Sequence, residues 1–114
     1  MDKEVILLRI DEIIKQIDIV TNDFENLKLD DLKPDSLLGR ATAFSIEQIC
    51  EHMSKLKKIF ENDWPSIPWN KIYDTRIVIA HMYLKIEPKY IYETVKKDLP
   101  SLRAELLKLK ESLK

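Results

Sequence analysis

Only one glycine, Gly39, stands in 114 residues. Tight turns between short strands draw on glycine for backbone conformations that other residues resist, so a β-rich fold lacks its turn residues here. Helices joined by short loops are favoured. The apolar spacing agrees. Ile6, Ile10, Ile13, Ile17 and Val20 recur at steps of four, three, four and three, one stripe of a helix from about Lys3 to Asn22. Leu7 and Ile14 widen the stripe, while Lys3, Glu4, Asp11, Glu12, Lys15 and Asp18 lie largely outside it.

The polar segment from Asn26 to Asp35, with Pro34, reads as a connection, and Asp35 or Ser36 can cap the next helix. That helix is expected from Ser36 to Asn62, with Leu38, Ala41, Phe44 or Ser45, Ile49, Met53 or Leu56, and Phe60 on its apolar face. Pro65 and Pro68 end it. A third helix is expected from near Trp69 to near Tyr83. Its four consecutive apolar residues, Ile77 to Ala80, imply contacts nearly all round. A buried strand is the competing local reading, and the helical context favours a central helix. Pro88 suits the first turn of a fourth helix running to about Leu99, and Pro100 marks a break or kink. Leu102, Leu106, Leu109 and Leu113 form a last amphipathic helix. The expectation is an all-α, up-down bundle of four to five helices, with residues 1–114 as a single domain.

Composition narrows the function classes. Nineteen basic residues face twenty acidic ones, which argues against an extended DNA-wrapping surface but leaves room for a local basic cleft. No apolar run approaches the roughly 18 residues of a membrane span. Nothing resembling a signal peptide precedes the first apolar stretch, since Asp2, Lys3 and Glu4 crowd the start, so a cytoplasmic location is expected. The single Cys50 has no partner for an intramolecular disulfide and reads as a small buried residue. No second His or Cys stands at ligand spacing, so no metal site and no cofactor is expected.

Chemistry concentrates between Asp74 and Tyr83. Arg76 and His81 stand five apart, which on an ideal helix turns them roughly 140° from each other. Arg76 and Tyr83, seven apart, return within roughly 20°, about 10 Å along the axis. A compact site from one helix therefore needs the long arginine to wrap around it, or a second copy of the chain to bring its own pair across a two-fold axis. Arginine offers a planar, permanently charged fork for phosphate. Histidine takes or gives a proton near neutral pH. Tyrosine adds a hydroxyl that can hydrogen-bond or be modified. Together these suit phosphodiester transfer without a metal.

Arg76, four residues, His81, one residue and Tyr83 resemble the R-x4-H-x-Y motif of HepT-like toxins in the HEPN superfamily. The segment Ile46–Glu51 is similar to that family's second helix, Trp69 and Ile72 lead into the motif as in the family, and Leu99-Pro100 with the following leucine-rich helix resembles its C-terminal end. The resemblance implies a HEPN-like helical domain that forms a homodimer, with the two motifs facing each other at a cleft. It implies a metal-independent endoribonuclease acting on RNA. Arg76 then holds the scissile phosphate, and His81 acts as general base on the ribose 2′-hydroxyl or as acid to the leaving oxygen, leaving a 2′,3′-cyclic phosphate. The implied partner is a cognate small nucleotidyltransferase antitoxin that transfers AMP to Tyr83 and so blocks RNA.

The chain departs from the family pattern at Ile77, where a polar residue is common, at Tyr73-Asp74-Thr75, and at Cys50, which replaces a common glycine. Asp74 or Glu51 can compensate electrostatically; the family position implies that Glu51 faces the cleft and meets Arg76, with a solvated surface carboxylate as the equal alternative, and Lys85, with Lys89, is placed to meet phosphate near His81. His52 reads as a surface or edge residue, Trp64 and Trp69 as anchors of the proline-rich turn, and the lysines at 55, 57 and 58 as a helix face. The alternative function is a non-catalytic module that complexes with a nucleotidyltransferase and presents a nucleotide or substrate, a reading that Ile77 keeps open.

Overall fold

The computed structural model describes residues 1–82 and 85–114, with Met82 described by its backbone alone. Among them the helices are α1 (Lys3–Asp23), α2 (Leu37–Phe60), α3 (Trp69–Met82), α4 (Pro88–Glu93) and α5 (Leu99–Ser112), and no strand occurs. The bundle is all-α, as expected, and the strand reading of 77–80 does not apply. No described helix is long and apolar enough to cross a membrane.

Helix α1 starts where Asp2 accepts the Val5 N–H at 3.0 Å, satisfying one of the free donors of the first turn. Its expected stripe is the buried one: Ile6, Ile10, Ile13, Ile17 and Val20 all lie inside. Two short 3₁₀ turns, Phe24–Asn26 and Leu29–Leu32, carry the connection and bury Phe24 and Leu32. Ser36, not Asp35, caps α2, accepting the Gly39 N–H at 2.9 Å. The solitary glycine has its reason here, because a Cβ at position 39 would collide with the Lys33 carbonyl oxygen.

Helix α2 is the central element, packed between α1 and α3. In its first half the apolar face differs from expectation. Leu38, Ala41 and Phe44 are exposed, while Gly39, Thr42, Ala43 and Ile46 face the core. Small residues on the inner side let the 3₁₀ connection approach closely, and a hydrophobicity pattern gives Thr and Gly no weight. From Ile49 onward Met53, Leu56 and Phe60 are buried as the spacing predicts.

Helix α3 is not surrounded. Thr75 and Ile79 are buried and Val78 partly so, whereas Ile77 and Ala80 face solvent. The helix packs against α2, meets α4 through Thr75, and leaves the side of Tyr73, Ile77 and Ala80 open. The preceding turn is held by Trp69, buried, whose Nε1–H donates to the Trp64 carbonyl at 2.9 Å.

The break or kink expected at Pro100 takes the form of an irregular turn just before it, within a continuous helical stretch. Helix α4 ends at Glu93, and a π-helical turn over Thr94–Asp98 runs straight into α5, with Pro100 in the first turn of α5. The Leu99 N–H donates to the Thr94 carbonyl, five residues back. Pro100 has no N–H to continue the regular pattern, and a widened turn before it absorbs the mismatch. Arg103 fastens α5 to α1 by a forked contact with Asp18 at 2.7 and 3.3 Å.

Candidate active site on the seam between α2 and α3

The seam is built by antiparallel packing. Cys50, Met53 and Ser54 of α2 and Trp69, Ile72 and Tyr73 of α3 line a crevice of about 10 Å³, with Arg76 and Lys57 on its walls. It holds a water at most. Thr75, next to Arg76, points the other way. It is buried, donates to the Lys71 carbonyl at 2.9 Å, and accepts from the Tyr90 hydroxyl at 3.4 Å. That inward residue fixes the rotation of α3 and turns Arg76 toward α2.

Arg76 meets Glu51 there. Its Nη2 lies 2.6 Å from Glu51 Oε2, and the two side chains remain 37% and 42% exposed. Half in solvent, the pair is screened and contributes little to folding. It holds the guanidinium in place while leaving it open to a competing anion. Lys55 approaches the same carboxylate at 3.9 Å. Cys50 lies below. Burial pushes its thiol up to about 12, only partly countered by the Arg76 charge, so it is protonated at neutral pH and unsuited to nucleophilic work.

The remaining candidates are dispersed. His81 is exposed on the last turn of α3 and has no hydrogen-bond partner among the described residues. Asp74 is exposed and does not reach Arg76 through any described ion pair. Lys85 lines a separate, open pocket with Val78, Lys89 and Tyr90, away from the Arg76 crevice. Tyr83 lies outside the described residues. The structure thus brings together Glu51 and Arg76, and does not gather Asp74 or Lys85 around them. No group of three or more His, Cys, Asp or Glu residues suited to a metal converges among the described residues.

Two seam residues, expected only as a departure from the family pattern and as part of a helix face, meet beside Arg76. Lys57 Nζ lies 5.3 Å from the centroid of the Tyr73 ring, and Tyr73 is 47% exposed. The signal available was spacing, since Tyr73 stands three residues before Arg76 and shares its side of the helix.

The family model described as HepT-like, Ribonuclease HepT-like, matches residues 10–109. The chain belongs to the ribonuclease HepT-like family. Among its relatives is the "Probable ribonuclease HepT" of Thermococcus cleftensis, 30% identical over 68% of this chain and 74% of that one. A second is "Putative RNase TTE0752" of Caldanaerobacter subterraneus subsp. tengcongensis, 26% identical over 85% of this chain and 87% of its own length. A third, the "Gamma-glutamylcyclotransferase and putative RNase MJ0434" of Methanocaldococcus jannaschii, is 28% identical over 91% of this chain. This chain spans about half of that last relative, 47% of its length. No solved structure gives a significant match.

Proposed function

We propose that this HepT-like chain is a metal-independent endoribonuclease that works as a homodimer. The observation that carries the reading is the surface of α3. Arg76 and His81 flank Ile77 and Ala80, apolar residues left facing solvent, and Phe44 of α2 is 63% exposed on the same side of its helix as Glu51. A second copy laid across this apolar strip covers it and brings a second Arg76–His81 pair to the first. That arrangement resolves the roughly 140° separation within one helix.

In this reading the incoming phosphate displaces Glu51 from Arg76, whose fork then stabilises charge on the non-bridging oxygens. His81, with no hydrogen-bond partner among the described residues, takes the proton of the ribose 2′-hydroxyl. The 2′ oxygen attacks phosphorus, the bond to the 5′ oxygen breaks, and that oxygen takes a proton from the imidazolium so formed or from water, giving a 2′,3′-cyclic end. The chain acts as a toxin, with a cognate small nucleotidyltransferase as antitoxin adding AMP to Tyr83. The added phosphate and adenine fill the place of RNA beside Arg76. The alternative, a non-catalytic module that presents a nucleotide or substrate to that nucleotidyltransferase, is favoured by one observation: Arg76 already has a carboxylate partner at 2.6 Å.

Expression in a bacterial host, with and without a cognate nucleotidyltransferase, tests the reading. The chain alone should arrest growth and cleave RNA in EDTA. The co-expressed chain should gain the mass of one or more AMP units at Tyr83 and lose toxicity. Growth without arrest and RNA left intact would favour the non-catalytic module. Modification at Tyr73, Tyr90 or Tyr92 would refute the control site.

A further inference from the structure

Next to the Arg76 crevice the seam carries an aromatic ring with a cation on it. Tyr73 is 47% exposed although it belongs to a helix packed on α2, and its hydroxyl makes no hydrogen bond among the described residues. The Lys57 ammonium lies 5.3 Å from the ring centroid, within the range of a cation–π contact. Both side chains line the crevice that holds Arg76. Tyr73 precedes Arg76 by three residues, about 4.5 Å along the axis and 60° around it. An exposed ring pinned by a lysine beside a phosphate-binding fork has the parts of a single-strand nucleic-acid subsite: a stacking surface, a cation for the backbone, and a fixed register to a neighbouring phosphate.

We propose that Tyr73 is the stacking platform for a nucleobase adjoining the phosphate held by Arg76, with Lys57 contacting the next phosphate along the strand. This rests on the ribonuclease reading and names the subsite that grips the substrate. Every nucleobase presents a π-face, so the subsite accepts any of them and favours unpaired RNA, whose bases are free to splay. Tyr73 touches the substrate without taking part in bond making. Its loss weakens binding and raises KM, and leaves kcat largely unchanged.

The test is a thermodynamic cycle on the full chain. The probe is a short 2′-O-methyl RNA, which lacks the free 2′-hydroxyl needed for cleavage, compared with the same strand carrying one abasic position scanned along it. Tyr73→Ala should bind the base-bearing strand roughly 5- to 100-fold more weakly than the wild type. Tyr73→Phe should bind like the wild type. The wild type should lose a similar factor at one abasic position, and Tyr73→Ala should lose nothing further there. Lys57→Ala should weaken base-bearing and abasic strands alike and reduce the salt dependence of binding. If wild type and Tyr73→Ala lose equally at every abasic position while ordinary RNA is still cleaved, the subsite is overturned and the ribonuclease reading stands. If the wild type neither binds nor cleaves RNA, both fall.

Discussion

Helix α2 receives an arginine at each of two adjacent residues, and the two meetings are built differently. At Glu51 the partner is Arg76 of α3, charge against charge at 2.6 Å, with both side chains more than a third exposed. At His52 the partner is Arg9 of α1. Arg9 Nη1 donates to His52 Nδ1 at 3.1 Å, and Arg9 Nε is buried with no partner among the described residues. The first contact can open to water or an anion at small cost. The second holds part of a guanidinium in a place where its hydrogen bonds are incomplete. On one helix, adjacent residues divide between an available cation and a confined one. What decides is the neighbour: α1 closes over α2 with isoleucines, while α3 leaves its far side uncovered.

That difference predicts opposite outcomes for the two arginines. Arg76→Ala, like His81→Ala, should reduce RNA cleavage by about 100-fold or more while leaving the far-ultraviolet dichroism intact. Arg9→Ala should spare the chemistry and lower stability by about 1 kcal/mol, several degrees in Tm, through loss of the packed side-chain stem. Cleavage kinetics and melting curves on the same two variants decide it. If Arg9→Ala loses activity at full stability, or Arg76→Ala unfolds the chain, the division is wrong.

The uncovered side of α3 can be tested next. Ile77→Asp combined with Phe44→Asp removes apolar surface that the single chain does not use, since Ile77 is 40% and Phe44 63% exposed. The pair should halve the mass measured by light scattering at micromolar concentration and leave each chain folded. A wild-type mass equal to one chain would remove the dimer from the argument altogether.

How much of this was legible beforehand follows the same boundary. The α1 stripe could be read to the residue because every one of its isoleucines meets a partner within the chain. Glu51 could be placed toward Arg76 by the resemblance of its helix to the family. In the first half of α2, by contrast, Phe44 and Leu38 look like core residues by type, yet the core takes Thr42 and Ala43. Apolar character marks a residue that wants covering and does not say whether the cover is the same chain or another. The run from Ile77 to Ala80 misled for the same reason. Pro100 points to a break or kink, and the irregular turn lies just before it, over Thr94–Asp98, because a proline disturbs the hydrogen bonding of the turn that precedes it. The Lys57–Tyr73 contact joins residues sixteen apart across two helices, and only the packing brings them together.

The smallest effect expected is in the pH dependence of stability, and it isolates the confined arginine. His52 has its proton affinity lowered, first by burial and then by the Arg9 charge, against a partial opposing pull from Glu12 on α1 and Glu51 on α2 itself. Arginine can only donate, so the Arg9 contact requires an unprotonated Nδ1, which agrees with that direction. Above the ordinary histidine value, about 6.5, folded and unfolded chains both carry neutral His52 and the contribution is complete. As pH falls through that value the unfolded chain takes up the proton first, so stability declines until the lower folded value is passed. Tm should therefore drop between about pH 7.5 and about pH 5.5, by on the order of a degree for a half-buried group screened by solvent. His52→Gln keeps an acceptor for Arg9 and has nothing to titrate, so its decline over the same interval should be shallower. Arg9→Met removes the second-largest cause and should raise the His52 midpoint in an NMR titration assigned against His52→Gln. A His52 midpoint at or above the ordinary value in the wild type, or identical pH curves for wild type and His52→Gln, would show that the Arg9 contact is as open as the one at Arg76.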